Sequence, residues 1–321
     1  MIATILRVFW IVTIVAAIAA AWLSIRLFGE DIGPWAAGLA GATLVFAIHP
    51  VLVAFNFVMS RMAGDRVPAG LRLSPWQAIK ACDAEIDASM RGFWFATPFL
   101  LHRPAPTPAA ATVKRFPILF IHGYFCNRAI WLPFMRDAAA RGYLCEALTL
   151  PRPFAPIESN ASFVDAAIDD LLARARHAGD GAPADRIVIV AHSMGGLVAR
   201  AALQRIDASR VAHVITLGTP HHGAFTARYW DISNVVQMRR NSPWLVALEA
   251  EELEQTQPNR GLPRSAWTTL FSYHDNMVFP QETALLEGAH TIAIGGVGHV
   301  ALVYDKRVRR MVFDRLDAIE A

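Results

Sequence analysis

A single serine stands where an apolar run changes into a helical pattern, in the stretch IVIVAHSMGGLVARAAL (187–203). This residue, Ser193, has Ala191 two positions before it, and Gly195 and Gly196 follow it. A serine between a buried strand and a helix sits on a tight turn that exposes its hydroxyl oxygen, and only small neighbours fit such a turn. The pattern predicts a nucleophilic serine. The alternative is an ordinary strand-to-helix turn that Ser193 caps.

A nucleophilic serine needs a base, and the base needs an acid that orients it. In FSYHDNMVFP, Asp275 follows a strand-like run, and in GGVGHVALVYDKRV, His299 lies in a glycine-bounded loop. The chain order serine, aspartate, histidine is one in which such residues assemble. We therefore expect Asp275 as the orienting acid and His299 as the base. Asp231 and Glu282 are rival acids, although neither directly follows a strand-like run.

Backbone N–H groups that stabilise an oxyanion are expected in the loop FIHGYFCNRAIW. Gly123 lets the backbone approach closely there, and the N–H of Tyr124 is the candidate donor. His122 is interpreted as a hydrogen-bonded residue that orients this loop. A second loop, GTPHHGAF (218–225), contains His221 and His222. Adjacent histidines point in different directions and have no acidic or cysteine ligand nearby, so a pocket wall is favoured over a metal site.

The elements that position these residues alternate between strands and helices. Apolar runs that predict strands alternate with amphipathic patterns that predict helices, which favours a mostly parallel sheet with helices on both faces. Such sheets place their sites at the carboxyl ends of the strands, where these side chains fall. The predicted strands are 116–123, 142–150, 186–193, 211–218, 266–273 and 290–296, and the predicted helices are 160–176, 195–206 and 301–316.

The composition of the chain as a whole is too apolar for an ordinary soluble domain. Hydrophobic residues make up 54% of the sequence and charged residues 18%. Two uncharged runs predict transmembrane helices at about 8–25 and 34–58, joined by the polar connector RLFGED, with Pro50 expected to kink the second. A cleavable signal peptide is the alternative for the first run. The net charge of +3 gives no reason to expect nucleic acid as a partner.

Basic residues flank the outer ends of both runs. Arg7 precedes the first run, and Arg61, Arg66 and Arg72 follow the second, whereas the connector combines one arginine with two acids. The positive-inside rule then places both termini in the cytoplasm. The three cysteines, Cys82, Cys126 and Cys145, show no CxxC spacing and are interpreted as free thiols.

Residues 62–112 connect the predicted anchor (1–61) to the predicted sheet domain (113–321). SPWQ at 74–77 has the form of a capping box, and the apolar residues from Trp76 to Phe93 recur at helical spacing. This amphipathic helix either packs on the sheet domain or lies on the membrane. The segment HRPAPTPAAATVK (102–114) predicts an extended linker.

Five motifs in order, AHSMGGLVAR, ILFIHGY, TLGTPHHG, HDNMV and GVGHVALVY, resemble the bacterial lipase/esterase family of α/β-hydrolases. The alanine-containing turn around Ser193 is especially similar to that of the small Bacillus-type lipases. The resemblance implies an α/β-hydrolase fold with Ser193 as nucleophile, His299 as base and Asp275 as acid. It also implies an oxyanion hole from the N–H groups of Tyr124 and Met194, and neither a cofactor nor a metal.

The implied function is a serine carboxylic-ester hydrolase that acts on lipid-like or short acyl esters at the bacterial inner membrane, with the hydrolase domain on the cytoplasmic side. An acyltransferase or thioesterase with the same triad is the alternative, and a non-catalytic scaffold would require a degraded triad. Two features depart from the family. The membrane hairpin is one, and the other is the segment 223–265, whose helical spacing fits either a cap over the site or plain packing on the sheet.

Overall fold

The computed structural model describes residues 1–108, 114–177, 184–254 and 259–320. In this part of the chain six strands form one parallel sheet in the order β2-β1-β3-β4-β5-β6. All six coincide with predicted strands. Their bounds are β1 Ile118–Ile121, β2 Cys145–Leu148, β3 Ile187–His192, β4 Val211–Leu217, β5 Trp267–Ser272 and β6 His290–Ile294.

Helices cover both faces of this sheet because successive side chains of a strand point to opposite faces. In β3, Ile187 and Ile189 enter one core and Val188 and Val190 enter the other. The first core is shared with helices α6 (Ala161–His177), α7 (Met194–Leu203) and α9 (Pro243–Glu254). The second core is shared with α5 (Leu132–Ala140), α10 (Ala301–Tyr304) and α11 (Lys306–Glu320).

Two helical features of this sheet domain differ from the prediction. Helix α5 was not predicted, because its short sequence directly continues the loop after β1. The closing helix predicted at 301–316 is divided into α10 and α11 at Asp305, which is extended. The Asp305 carboxylate accepts the N–H of Arg307 at 2.6 Å and thereby starts α11 as a cap.

The first two helices form an antiparallel hairpin that is longer than predicted. Helix α1 runs over Ile2–Ile32 and α2 over Pro34–Ala63, so the connector RLFGED is helical and the chain turns at Gly33, whose φ is 82°. A positive φ suits glycine, and proline suits the first position of α2. Both helices are long and apolar enough to cross a membrane, and most of their large apolar side chains are exposed. These helices fit a membrane anchor.

Helix α3 (Pro75–Ser89) begins with the predicted capping box. Ser74 accepts the Gln77 N–H, and Gln77 in turn accepts the Ser74 N–H at 2.8 Å. In the predicted apolar face, Cys82 and Ile86 pack against α2, whereas Trp76 and Ile79 are exposed. The buried face instead consists of small residues and one carboxylate, because α3 packs between α2 and α10; its buried residues are Ala81, Glu85, Ala88 and Ser89.

A π-helical turn over Met90–Ala96 and the short helix α4 (Thr97–Phe99) continue α3. They bury Trp94 against the start of α1, with the Trp10 and Trp94 rings 5.1 Å apart. The predicted boundary between linker and sheet domain at 112/113 lies outside the described residues. Residues 255–258 of the predicted cap also lie outside them. The described part of that cap contains α8 (Ser233–Gln237) and α9.

Candidate active site

Ser193 occupies a strained turn between β3 and α7. Its φ of 55° and ψ of −130° lie in a region that costs a non-glycine residue about 1–3 kcal/mol. The surrounding backbone holds it there. The Ser193 N–H donates to the Leu217 carbonyl at 2.9 Å, and the Thr219 hydroxyl donates to the Ser193 carbonyl at 2.9 Å. The hydroxyl group is thereby presented at the carboxyl end of the sheet.

The small residues around Ser193 are required by close backbone contacts. A Cβ at Gly195 would collide with the carbonyl oxygen of Ile121 in the neighbouring strand, and a Cβ at Gly196 would collide with the Thr219 side chain. Ala191 is completely buried in the sheet. The spacing of small residues in the sequence therefore has the steric cause that was expected of it.

The structure brings the three expected side chains into one line. His299 Nε2 lies 2.9 Å from Ser193 Oγ, and His299 Nδ1 lies 2.8 Å from Asp275 Oδ2. The other oxygen of Asp275 accepts the N–H groups of Met277 at 2.8 Å and Val278 at 2.7 Å. These bonds fix the carboxylate, so that His299 carries its proton on Nδ1 and presents Nε2 to the serine.

The surroundings of His299 favour its protonated form. Burial opposes the charge on this imidazole, but the charge of Asp275 and its hydrogen bond outweigh burial and raise the pKa of His299. Asn276 Oδ1 also accepts the backbone N–H of His299 at 3.0 Å. The imidazole is thus oriented and made more basic, which is what a general base for a serine requires.

Two further histidines near the site are held neutral. Burial lowers the pKa of His122 to about 4 and that of His192 well below its ordinary value. His122 Nε2 accepts the Leu150 N–H at 3.0 Å, so its Nδ1 donates to the Gly123 carbonyl at 2.8 Å. His192 Nε2 donates to the His299 carbonyl at 3.0 Å. Both side chains therefore hold backbone groups in place, which is the role that was expected of His122.

The rival acids lie elsewhere. Asp231 forms an exposed ion pair with Arg239, and Glu282 accepts the Tyr273 hydroxyl at 2.9 Å. Neither contacts His299 in the structure, so Asp275 is the carboxylate that the fold brings to this imidazole.

Candidate oxyanion donors flank the serine on both sides. Met194 is the first residue of α7, where backbone N–H groups have no partner within the helix. Gly123 packs so closely that a Cβ there would lie 2.8 Å from the Ser193 Cβ, and Tyr124 follows it. Tyr124 and Ser193 line the same cavity. The N–H groups of Tyr124 and Met194 remain the predicted donors.

The segment GTPHHGAF contributes to the cavity through Pro220 and Ala224. His221 instead points into the protein, with its Nε2 at 3.1 Å from the Thr216 hydroxyl, and His222 lies near Glu249. Among the described residues, no group of three histidine, cysteine or acidic side chains could hold a metal ion. The two histidines themselves are not wall residues of the cavity, which corrects the interpretation of this loop.

A mainly apolar cavity of about 600 Å³ opens beside Ser193 and His299. Part of its wall comes from the predicted cap, through Trp230, Val235 and Met238. Helix α8 within this segment is held near the serine, because Asn234 donates to the Pro153 carbonyl at 2.7 Å and contacts the Met194 sulfur at 3.4 Å. Sequence reasoning missed a further part of the wall, which comes from α1, α2 and α3.

Comparison with solved structures identifies the class. A lipase of Bacillus licheniformis in its mature form matches with a TM-score of 0.53 and 20% identity, over 66% of this chain and 95% of the lipase. Lipase B of Aspergillus fumigatus matches with a TM-score of 0.52 and 16% identity, over 67% of this chain and 55% of that lipase. The parallel sheet with helices on both faces is therefore an α/β-hydrolase fold.

The sequence itself has a more particular likeness. Residues 155–286 match the family described as the PGAP1-like alpha/beta domain. The match includes Ser193 and Asp275 and ends before His299. The expected resemblance to α/β-hydrolases of the lipase and esterase type is confirmed, together with the expected fold class.

Proposed function

We propose that the protein is a serine carboxylic-ester hydrolase whose triad is Ser193, His299 and Asp275. The observation that carries this proposal is the continuous hydrogen-bond line from Asp275 Oδ2 through the His299 ring to Ser193 Oγ, at the inner end of an apolar cavity. The α/β-hydrolase fold and its likeness to lipases support ester hydrolysis as the reaction.

The geometry supports a two-step reaction. As His299 Nε2 takes the hydroxyl proton, Ser193 Oγ attacks the ester carbonyl, and the resulting oxyanion accepts the N–H groups of Tyr124 and Met194. The intermediate collapses, His299 returns the proton to the departing alcohol, and an acyl-serine remains. His299 then deprotonates a water that attacks this acyl group, and the carboxylic acid leaves with Ser193 restored.

We further propose that the hairpin is an uncleaved anchor (residues 1–61), followed by a connecting segment (62–112) and the hydrolase domain (113–321) with a cap at 223–265. The start of α1 is bonded to the rest of the protein, which supports its retention. Arg7 Nε donates to the Pro98 carbonyl at 2.7 Å, and Trp10 Nε1 donates to the Trp94 carbonyl at 2.6 Å. The arginines that flank the hairpin support a bacterial inner membrane with the hydrolase domain on its cytoplasmic face.

The test compares the full-length protein with Ser193→Ala on p-nitrophenyl esters of short and long acyl chains, with labelling by a fluorophosphonate probe. We expect wild type to hydrolyse the esters and to be labelled, and Ser193→Ala to do neither. Equal rates in the two proteins would exclude the function. Product analysis with added alcohols or amines separates hydrolysis from acyl transfer, because both reactions share the acyl-serine.

A further inference from the structure

The cavity beside Ser193 is not built by the sheet domain alone. Helix α1 contributes Leu6 and Phe9 to its wall, and α2 contributes Leu52 and Val53. The hairpin, which we propose as a membrane anchor, therefore also forms one side of the cavity beside Ser193.

Polar bonds fix the base of the hairpin to the site at several points. The Ser89 hydroxyl donates its hydrogen to the Ile86 carbonyl. Its oxygen therefore accepts a hydrogen bond from His49 Nε2, at 2.8 Å. Just after α2, the Asp65 N–H donates to the Gln281 side chain at 2.9 Å. Together with the bonds that Arg7 and Trp10 make to the segment after α3, these contacts hold both helices against the cavity.

The rim of the cavity is apolar and continuous with the surface of the hairpin. Phe9 and Leu52 on the hairpin and Trp230 on the cap line the cavity, yet all three are exposed. The apolar side chains farther along α1 and α2 are exposed as well. Large exposed apolar surfaces mark contact with lipid or another protein. Because α1 and α2 are long and apolar enough to cross a membrane, an exposed apolar rim continuous with them is suited to contact with lipid.

We propose that the cavity binds the acyl chain of a membrane-lipid ester, which enters sideways from the leaflet at the base of the hairpin with α1 and α2 as one wall. This inference rests on the proposed ester hydrolysis. The ester carbonyl lies at Ser193, and the chain extends past Leu6, Phe9, Leu52 and Val53 towards the rim. Each buried methylene contributes roughly a fourfold gain in binding, so that long chains are preferred over short ones.

The test adds a bulky side chain to the hairpin wall of the cavity and leaves Ser193, His299 and Asp275 unchanged. Leu52 lines the cavity and is 56% exposed, whereas its neighbour Val51 is 62% exposed and does not line it. Leu52→Trp should lower kcat/KM for p-nitrophenyl decanoate by about tenfold or more and that for p-nitrophenyl acetate by much less, so that the decanoate-to-acetate ratio falls. Val51→Trp is the matched control and should change neither rate.

A decanoate-to-acetate ratio that is unchanged in Leu52→Trp, or that falls equally in Val51→Trp, would overturn the acyl-chain site while leaving ester hydrolysis intact. If ester hydrolysis at Ser193 itself were wrong, wild type would be no faster than Ser193→Ala on either ester. That result would also exclude the acyl-chain site.

A second, independent observation concerns Glu85 of α3. This carboxylate is only 1% exposed, and its two oxygens accept the N–H groups of Val300 at 2.9 Å and Ala301 at 2.8 Å. Both residues directly follow His299. Gly298 before it is also in contact, since a Cβ there would lie 2.5 Å from Glu85 Oε2. The loop that carries the base thus closes around a side chain from outside the sheet domain.

We infer that Glu85 is a positioning residue, which fixes the backbone on both sides of His299 and stabilises the protonated imidazole with its negative charge. It acts through His299 and not on the reacting atoms. A residue that merely filled space would supply neither the two backbone acceptors nor the charge.

The charge of Glu85 depends on pH. Burial raises the pKa of Glu85 to about 7, against the effect of its bonds from Val300 and Ala301 and of the nearby His299, so the carboxylate is charged above that pH and loses its charge as pH falls through it. The other titratable groups that face it are Asp275 and Cys82. In return, the charge of Glu85 adds to that of Asp275 in raising the pKa of His299, while burial acts against both.

The test is the pH profile of kcat/KM for p-nitrophenyl acetate. Glu85→Gln removes the charge and replaces one of the two backbone acceptors with an NH₂ group. We therefore expect kcat to fall, and the lost charge to lower the pKa of His299 and move the acid limb to lower pH. Glu85→Asp keeps the charge but shortens the reach, so kcat falls while the acid limb stays close to that of wild type. Asp83→Asn, an exposed position on the same helix, controls for net charge and should change nothing.

An acid limb that is the same in Glu85→Gln as in wild type would overturn the role. An equal shift in Asp83→Asn would do so too, because the effect would then belong to net charge. If Glu85→Gln does not fold, Glu85→Asp decides: unchanged kcat in that variant would contradict positioning through the two backbone bonds.

Discussion

The Asp275 carboxylate divides its two oxygens between different tasks, since Oδ2 lies 2.8 Å from His299 Nδ1 while Oδ1 accepts the N–H groups of Met277 and Val278. Oδ1 is thus anchored in the loop after β5, and Oδ2 is free to orient the imidazole. The orientation of the His299 ring is therefore set by a carboxylate that backbone N–H groups hold in place.

Asp275→Asn should abolish most of the activity without unfolding the protein. The asparagine fits the same space, but its amide can hold His299 in the wrong tautomer, with no acceptor towards Ser193. We expect kcat to fall by about 10³ to 10⁴ with little change in KM. Steady-state kinetics on p-nitrophenyl acetate measure this, with Asp231→Asn as the control, since Asp231 pairs with Arg239. A tenfold loss or less would contradict the role of Asp275.

The pH dependence of wild type follows from the raised pKa of His299. Burial lowers this pKa, but the charge and hydrogen bond of Asp275 raise it by more. His299 must be neutral to accept the serine proton, so activity is lost as pH falls through its pKa. We expect the acid limb of kcat/KM to have its midpoint above the ordinary histidine value of about 6.5. A midpoint below that value would show that burial dominates.

The three side chains of the hydrogen-bond line Asp275–His299–Ser193, the proposed triad, could be selected from the sequence because each has a local signal. Ser193 has small neighbours at fixed positions, and Asp275 and His299 each follow an apolar strand run, so chain order and strand ends were enough to place them. The inner strands β1, β3, β4 and β5 were predictable for the same reason, because a buried parallel strand is largely apolar, whereas the edge strands β2 and β6 are only partly buried. Helix α5 lacked such a signal, since it is short and starts within a loop.

The contribution of the first 100 residues to the site could not be predicted. In the sequence, Phe9 and Leu52 are typical lipid-facing residues. Whether they also line the cavity depends on how the hairpin packs against the rest of the protein. Glu85 has the spacing of a polar residue on a solvent-exposed face, and it is buried because α3 packs against the first residues of α10. The spacing of apolar residues in a helix does not show which other element the helix packs against.

Gly195→Ala should destabilise the turn that carries the nucleophile. The added methyl group would meet the carbonyl oxygen of Ile121, which is held in β1 and cannot move aside. We expect a loss of about 1–3 kcal/mol in the free energy of unfolding, together with a fall in kcat as Ser193 is displaced. Gly70→Ala is the control, because a methyl group there would meet nothing within 4 Å. Equal stability of the two variants would contradict the steric argument.

The buried ion pair between Arg200 of α7 and Glu252 of α9 should hold α9, in the second half of the segment 223–265, against α7. The Arg200 side chain is 0% exposed and donates to both oxygens of Glu252, at 2.8 and 2.6 Å, and its Nη1 donates to the His221 carbonyl at 2.9 Å. Glu252→Ala leaves this guanidinium buried without its carboxylate, and we expect a loss of about 3–5 kcal/mol in the free energy of unfolding.

Chemical denaturation of the detergent-solubilised protein measures this loss. Glu251→Ala is the matched control on the same helix, because Glu251 is half exposed and lies 4.0 Å from Arg205. Exposed pairs of that kind contribute at most about 1 kcal/mol. If the two variants lost the same stability, the Arg200–Glu252 pair would not be the contact that ties α9 to α7, and α9 would be held by its apolar residues Leu245 and Leu248 in the core it shares with α6 and α7.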